Sequence, residues 1–164
     1  VSALQVVFVT ALSTLLLGVV LFTGFTIRAA IAVRYSAADA GWLARIGHAS
    51  DRDVQRWAYV AHRATGVAVF AFLLLHVFDV ALFTISSSRF DEVHLLYGTA
   101  AMRVFESLLL FAILFHTFNG LRLVLLDVTE LGLAAARRLL LVAVTLTLVG
   151  GTGAAFVILK PAVS

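Results

Sequence analysis

Apolar positions dominate this chain in long runs, and the sparse polar residues gather between the runs rather than alternating within them. Two stretches, Ala3 to Ile27 and Leu139 to Leu159, carry no charge at all. Each reaches the roughly 20 apolar residues that a helix needs to cross a hydrocarbon core about 30 Å thick. Ala64 to Phe78 and Ser107 to Leu121 are each charge-free for fifteen residues, and apolar residues continue past their bounding charges. The pattern predicts an all-α fold, a transmembrane helix bundle with four spanning helices at about 3–33, 57–85, 102–128 and 137–160. Residues 34–56 form a connection, and 1–164 make up a single membrane domain.

Composition narrows the class further. The chain is 62% apolar and 13% charged, with a mean hydropathy of +1.07, whereas soluble domains carry about a quarter charged residues. The formal charge of +3 arises from twelve Lys and Arg against nine acids, too small and scattered for a nucleic-acid groove. With no cysteine, thiolate metal sites, disulfides and iron–sulfur ligation within the chain are excluded. Any cofactor rests on His, carboxylate or packing. The first span is expected to stay as a helix rather than act as a signal peptide, because it is too long, follows no basic segment and shows no small-residue cleavage site.

Arginine placement predicts orientation. Six Arg fall from Arg28 to Arg63 inclusive, and the last connection carries Arg122, Arg137 and Arg138. Only Arg89 and Arg103 lie between the second and third spans. By the positive-inside rule, the first and last connections face the cytoplasm. Arg63, Asp79, Glu106 and Arg122 then fall inside or at the rim of the membrane, where charge is costly and points to function.

Among five His, His48 and His94 fall in loops and carry no assigned role, and Ser86–Ser88 reads as a turn. His76 and His116 lie deep in the second and third spans. His116 is thirteen residues from Arg103 and eleven from Asp127, about 20 Å and 17 Å along a helix, which places it near the midplane. His76, thirteen residues past Arg63, sits near the middle and toward the outer side. His62, Gly66, Val69, Leu73 and His76 form one stripe, and Ala112, His116 and Gly120 align on the third span with Asn119 beside them. Small residues one turn from a His let a flat macrocycle approach, as haem ligation within a bundle requires. The other reading is an interhelical hydrogen bond or small-residue packing. Zinc is disfavoured, since neither Cys nor a second His at i+4 is present. His62 and Arg63 suit haem propionates or a quinone carbonyl, or Arg63 is a positive-inside anchor. Trp57 and Tyr59 also fit an interfacial aromatic belt. Asp127 is either a proton relay, a partner of Arg122 or Arg63, or a solvated helix end.

Two stretches carry a family resemblance. Ala61-His62-Arg63-Ala64-Thr65-Gly66, followed by His76 after nine apolar residues, resembles the His-Arg-x-Ser/Thr-Gly signature of the cytochrome b membrane-anchor subunit of succinate dehydrogenase. Phe115-His116-Thr117-Phe118-Asn119-Gly120-Leu121-Arg122, with Asp127 after it, is similar to that family's His-x-x-Asn-Gly-Ile-Arg element and downstream Asp. The resemblance covers Trp57 to about Ile158. It implies that His116 is an axial ligand of haem b, with the other ligand from a second membrane-anchor subunit. It also implies that Arg63 and His62 lie near the quinone pocket and the propionates. Two-haem members use a ligand on the helix that carries His76, so the resemblance implies one haem b, or a second held by His76 toward the outer face.

The implied assembly holds an iron–sulfur subunit and an FAD-carrying flavoprotein subunit at the cytoplasmic face of a bacterial inner membrane. This chain would pass electrons to quinone and would not itself oxidise succinate. Tyr59, Arg63 and Asp127 would polarise or protonate the quinone, and Trp57 and Arg122 complete the set of quinone or propionate residues. Three departures stand out: Tyr59 replaces a Ser of some members, Leu123 replaces a frequent His, and the first span is additional to the usual three. The alternatives are a haem-binding anchor of another membrane dehydrogenase, or a haem-free channel or anchor.

Overall fold

The computed structural model describes residues 2–35, 51–129 and 131–163. Four long helices account for most of them: α1 (Ala3–Tyr35), α2 (Asp51–Ile85), α4 (Ala100–Thr129) and α5 (Leu133–Val163), with a short α3 (Ser87–His94) and a 3-10 turn (Leu95–Gly98) between α2 and α4. All four long helices are apolar enough to cross a bilayer, and a helix of 30 residues is about 45 Å long. The chain is a multi-pass membrane protein, as the charge-free runs predict. His48 lies outside the described residues.

The helix limits differ from the sequence expectation in instructive places. Helix α2 starts at Asp51 rather than near Trp57, so the basic connection gives way to helix earlier. The Ser86–Ser88 segment and His94 are helical rather than turn and loop. Ser86 is extended, and its carbonyl accepts the amides of Arg89 and Phe90, which starts α3 as soon as α2 stops. At the start of α1, Ser2 and Gln5 cap each other: the Gln5 amide donates to Ser2 Oγ at 3.2 Å and the Ser2 amide to Gln5 Oε1 at 3.1 Å. This reciprocal arrangement satisfies two donors that a helix start leaves free. The Gln5 side-chain amide also donates to the Glu92 carbonyl at 2.8 Å, which ties α1 to α3.

Each long helix runs antiparallel to its neighbour. Helix α2 packs against both α1 and α4, and α4 makes its most extensive contact with α5. Arg103, near the start of α4, donates to the Ile158 carbonyl at 3.0 Å, and Arg122, near its end, donates through Nε to the Ala136 carbonyl at 3.1 Å. Between these points the Phe111 ring lies against Gly151, where a Cβ would meet it at 2.3 Å. At the α3 end, Phe8, Leu75, Leu82, Val93 and Met102 form the apolar core. Elsewhere large apolar side chains such as Leu21, Phe25, Phe70, Leu108 and Phe156 face outward, as lipid or partner helices demand. Threonine hydroxyls within the spans, including Thr65 and Thr147, donate to the carbonyl one turn back, which spares them an unpaired polar group in hydrocarbon.

Candidate functional site

The α2–α4 crossing brings together two histidines, each with a glycine four residues later. On α2 these are His62 and Gly66; on α4 they are His116 and Gly120. Because residues four apart share a helix face, each helix offers a ring beside a notch. The antiparallel pairing seats each ring at the other's notch. A Cβ at Gly66 would lie 2.8 Å from His116 Cε1, and a Cβ at Gly120 would lie 3.3 Å from His62 Cε1. The two imidazoles stack face to face, with centroids 4.1 Å apart and planes within 3°. His116 Nδ1 lies 3.1 Å from the His62 carbonyl oxygen, and His62 Nδ1 is buried with no hydrogen-bond partner.

That geometry has chemical consequences. With Nδ1–H donated to a backbone carbonyl, the lone pair of His116 resides on Nε2, the arrangement typical of imidazole ligands to metals. The His62 and His116 rings lie one over the other rather than facing each other across a gap. Among the described residues no three His, Asp or Glu side chains converge on one point.

The remaining expected site residues fall into separate neighbourhoods. His76 is fourteen residues beyond His62 on α2, about 21 Å along the axis, where it is exposed and stacked on Phe72 at 5.4 Å. It lies at a different level from the stacked His62 and His116 rings. Arg63 turns from His62 toward α1: its guanidinium lies 5.6 Å from the ring centroids of both Phe22 and Tyr59, and Nη1 donates to Tyr59 Oη at 3.3 Å. Arg56 joins them and donates to the Ala30 carbonyl at 3.5 Å. Its position was visible as one turn before Tyr59 and two before Arg63, yet sequence reasoning passed over it. Arg122 is only 4% exposed and donates through Nη1 to Asn119 Oδ1 at 3.0 Å, as well as to α5. Asn119, fully buried, holds that guanidinium in place. Trp57 and Asp127 are exposed.

A second polar group lies at the α3 end. Tyr97 Oη donates to Asp79 Oδ2 at 3.3 Å, and Asp79 Oδ1 is buried without a partner. Burial, then the charge and hydrogen bond of Asp79, then the charge of Glu106 push the Tyr97 phenol well above the ordinary tyrosine range.

Residues 44–152 match the family described as succinate dehydrogenase/fumarate reductase transmembrane subunit. Over 75 residues the chain is 37% identical to the succinate dehydrogenase 2 membrane subunit SdhC of Mycobacterium tuberculosis, across 46% of this chain and 55% of that protein. The chain thus spans about half the length of that relative. No solved structure matches it. Helix α1 lies before the matched region, which contains both His-x-x-x-Gly elements and the Arg122–Asn119 pair. The chain belongs to the family of succinate dehydrogenase and fumarate reductase transmembrane subunits.

Proposed function

We propose that this chain is the membrane anchor of a succinate:quinone oxidoreductase, that His116 supplies one axial ligand to haem b, and that the chain forms part of the quinone site. The observation that carries the reading is the seating of His116 against Gly66 with Nδ1 held by the His62 carbonyl, on a helix matched by the family. Haem b, when bound, supplies a one-electron carrier between the iron–sulfur subunit and quinone. The other ligand would come from a second membrane-anchor subunit, as the family resemblance implies; the stacking of His62 on His116 and the distance of His76 leave neither as an evident candidate in this chain. A second haem on His76 would be a separate site toward the α3 end.

The chain's own residues then have distinct tasks. The His62 carbonyl fixes the His116 tautomer, and the notch at Gly66 sets the depth of its ring. The unpartnered Nδ1 of His62 would be the group available to a propionate or quinone oxygen in the α2–α4 seam. Arg63 and Tyr59 hold positive charge and a phenol at the same end of α2 on the neighbouring face, with Trp57 and Asp127 exposed at that end for quinone contact or proton entry. Arg122 acts by bracing Asn119 and α5. Arginine placement supports a bacterial inner membrane protein whose α1–α2 and α4–α5 connections face the cytoplasm, where the iron–sulfur and flavoprotein subunits dock.

The test is a reduced-minus-oxidised spectrum of the native assembly beside His116→Ala, with co-purifying subunits identified and haem counted by pyridine haemochrome. The reading expects a b-type spectrum that the variant loses and co-purification of a flavoprotein and an iron–sulfur protein. An unchanged spectrum in His116→Ala removes the ligand assignment, and co-purification with a different dehydrogenase moves the anchor to another complex.

A further inference from the structure

Arg56, Tyr59 and Arg63 follow steps of three and four along α2, so they form one stripe. That stripe faces Phe25, Thr26, Ala29 and Ala30 of α1 across a recess of about 240 Å³. The described lining holds two guanidinium groups, a phenol and no carboxylate. Arg56 and Arg63, two turns apart on α2, both line this recess, and two cations on one face beside apolar helices are costly at membrane depth unless an anion accompanies them. Arg63 spends one N–H on Tyr59 Oη, which leaves the phenol proton free to donate.

A second feature points to the kind of anion. Further along the same faces of α1 and α2, where α4 joins them, lies a slot of about 150 Å³ with an apolar lining that includes Leu16, Val19, Phe72, Phe105 and Leu109. Thr26 of the first recess and Leu16 of the second are ten residues apart on α1, about 15 Å. That is half of a hydrocarbon core about 30 Å thick, the depth of one acyl chain. A cationic recess at one level and an oily slot half a bilayer deeper match an amphipathic anion.

We propose that the α1–α2 groove holds an anionic phospholipid, with its phosphodiester between Arg56 and Arg63, Tyr59 donating to a phosphate oxygen, and one acyl chain in the slot against α4. The lipid acts as mortar for α1, which contacts the bundle mainly through α2 and lies outside the family match. Free phosphate lacks the chain, and a quinone, which would engage Arg63 or Tyr59 through a carbonyl alone, leaves the second cation unmatched; the lipid therefore takes Arg63 and Tyr59 in place of the quinone role that the resemblance implies for them.

The assembly would be purified with its partner subunits, washed in zwitterionic detergent, and its bound lipid counted by mass spectrometry. Re-binding would be measured in nanodiscs of phosphatidylcholine with and without phosphatidylglycerol. Arg56→Gln removes one cation, and Ala30→Phe fills the recess from α1. Circular dichroism and thermal unfolding establish that each variant is folded, and the two act from different helices. The proposal expects about one phosphatidylglycerol retained per chain, at least tenfold weaker binding in either folded variant, and no displacement by inorganic phosphate. Equal retention of phosphatidylcholine, unchanged binding in both variants, or displacement by inorganic phosphate or a short-chain quinone would overturn it.

Discussion

His116 occupies the space that any side chain at position 66 would need: a Cβ on Gly66 would stand 2.8 Å from its Cε1. The converse contact, His62 against Gly120, is looser at 3.3 Å. Gly66→Ala is therefore expected to displace the His116 ring and destabilise the fold by about 1–3 kcal/mol through overpacking, offset in part by the helix preference for Ala over Gly. Gly120→Ala should be milder. Thermal unfolding and the haem spectrum of the two variants check the order, and equal effects would contradict it.

His62→Ala should leave the His116 orientation intact, because the acceptor for Nδ1 is the main-chain oxygen of residue 62 rather than its ring. The expected outcome is a retained b-type spectrum with a shifted midpoint potential, in contrast to His116→Ala. Redox titration of both variants separates the two roles. Loss of haem in His62→Ala would show that the ring itself is indispensable.

Arg122→Met should destabilise the bundle, since Asn119 Oδ1 and the Ala136 carbonyl would lose the buried guanidinium they share. Leaving a buried acceptor unmatched costs about 1–3 kcal/mol. Arg122→Lys should not restore stability, because a single ammonium cannot reproduce two diverging N–H bonds. Detergent-solubilised thermal unfolding is the readout, with full rescue by Lys as the contrary result.

Tyr97 should resist ionisation. Its proton is held more tightly in the folded chain than in the unfolded one, so the contribution is present below the ordinary tyrosine value of about 10. It fades as pH climbs above that value toward the raised folded one. An ultraviolet titration should show one of the three tyrosines lagging. Asp79→Asn, which removes the adjacent negative charge, should bring that residue back toward the usual range.

The spans were legible because charge-free runs of apolar residues have few alternatives to a membrane helix. The pairing of His62 with His116 was not. Counting from Arg103 and Asp127 put His116 at the midplane and left His62 at the start of the second span, but depth along one helix says nothing of the offset between two. The structure begins α2 at Asp51 and aligns the two residues. The repeated His-x-x-x-Gly spacing is the available signal, but within one chain's sequence it defines only two separate helix faces. Arg122 appeared as a charge at the rim; its neighbour Asn119, one turn away, shows instead how the charge is satisfied internally. Ser86 to His94 carries polar residues that read as loop, yet the Ser86 carbonyl nucleates a helix there.

The fastening of α4 to α5 by Arg103 and Arg122 bears on biogenesis. Emerging alone from the ribosome, α4 would present two cations whose carbonyl acceptors have not been synthesised. These two hydrogen bonds can form only once the last helix has been made. Truncation before Ile158 would leave the first of those cations without its acceptor.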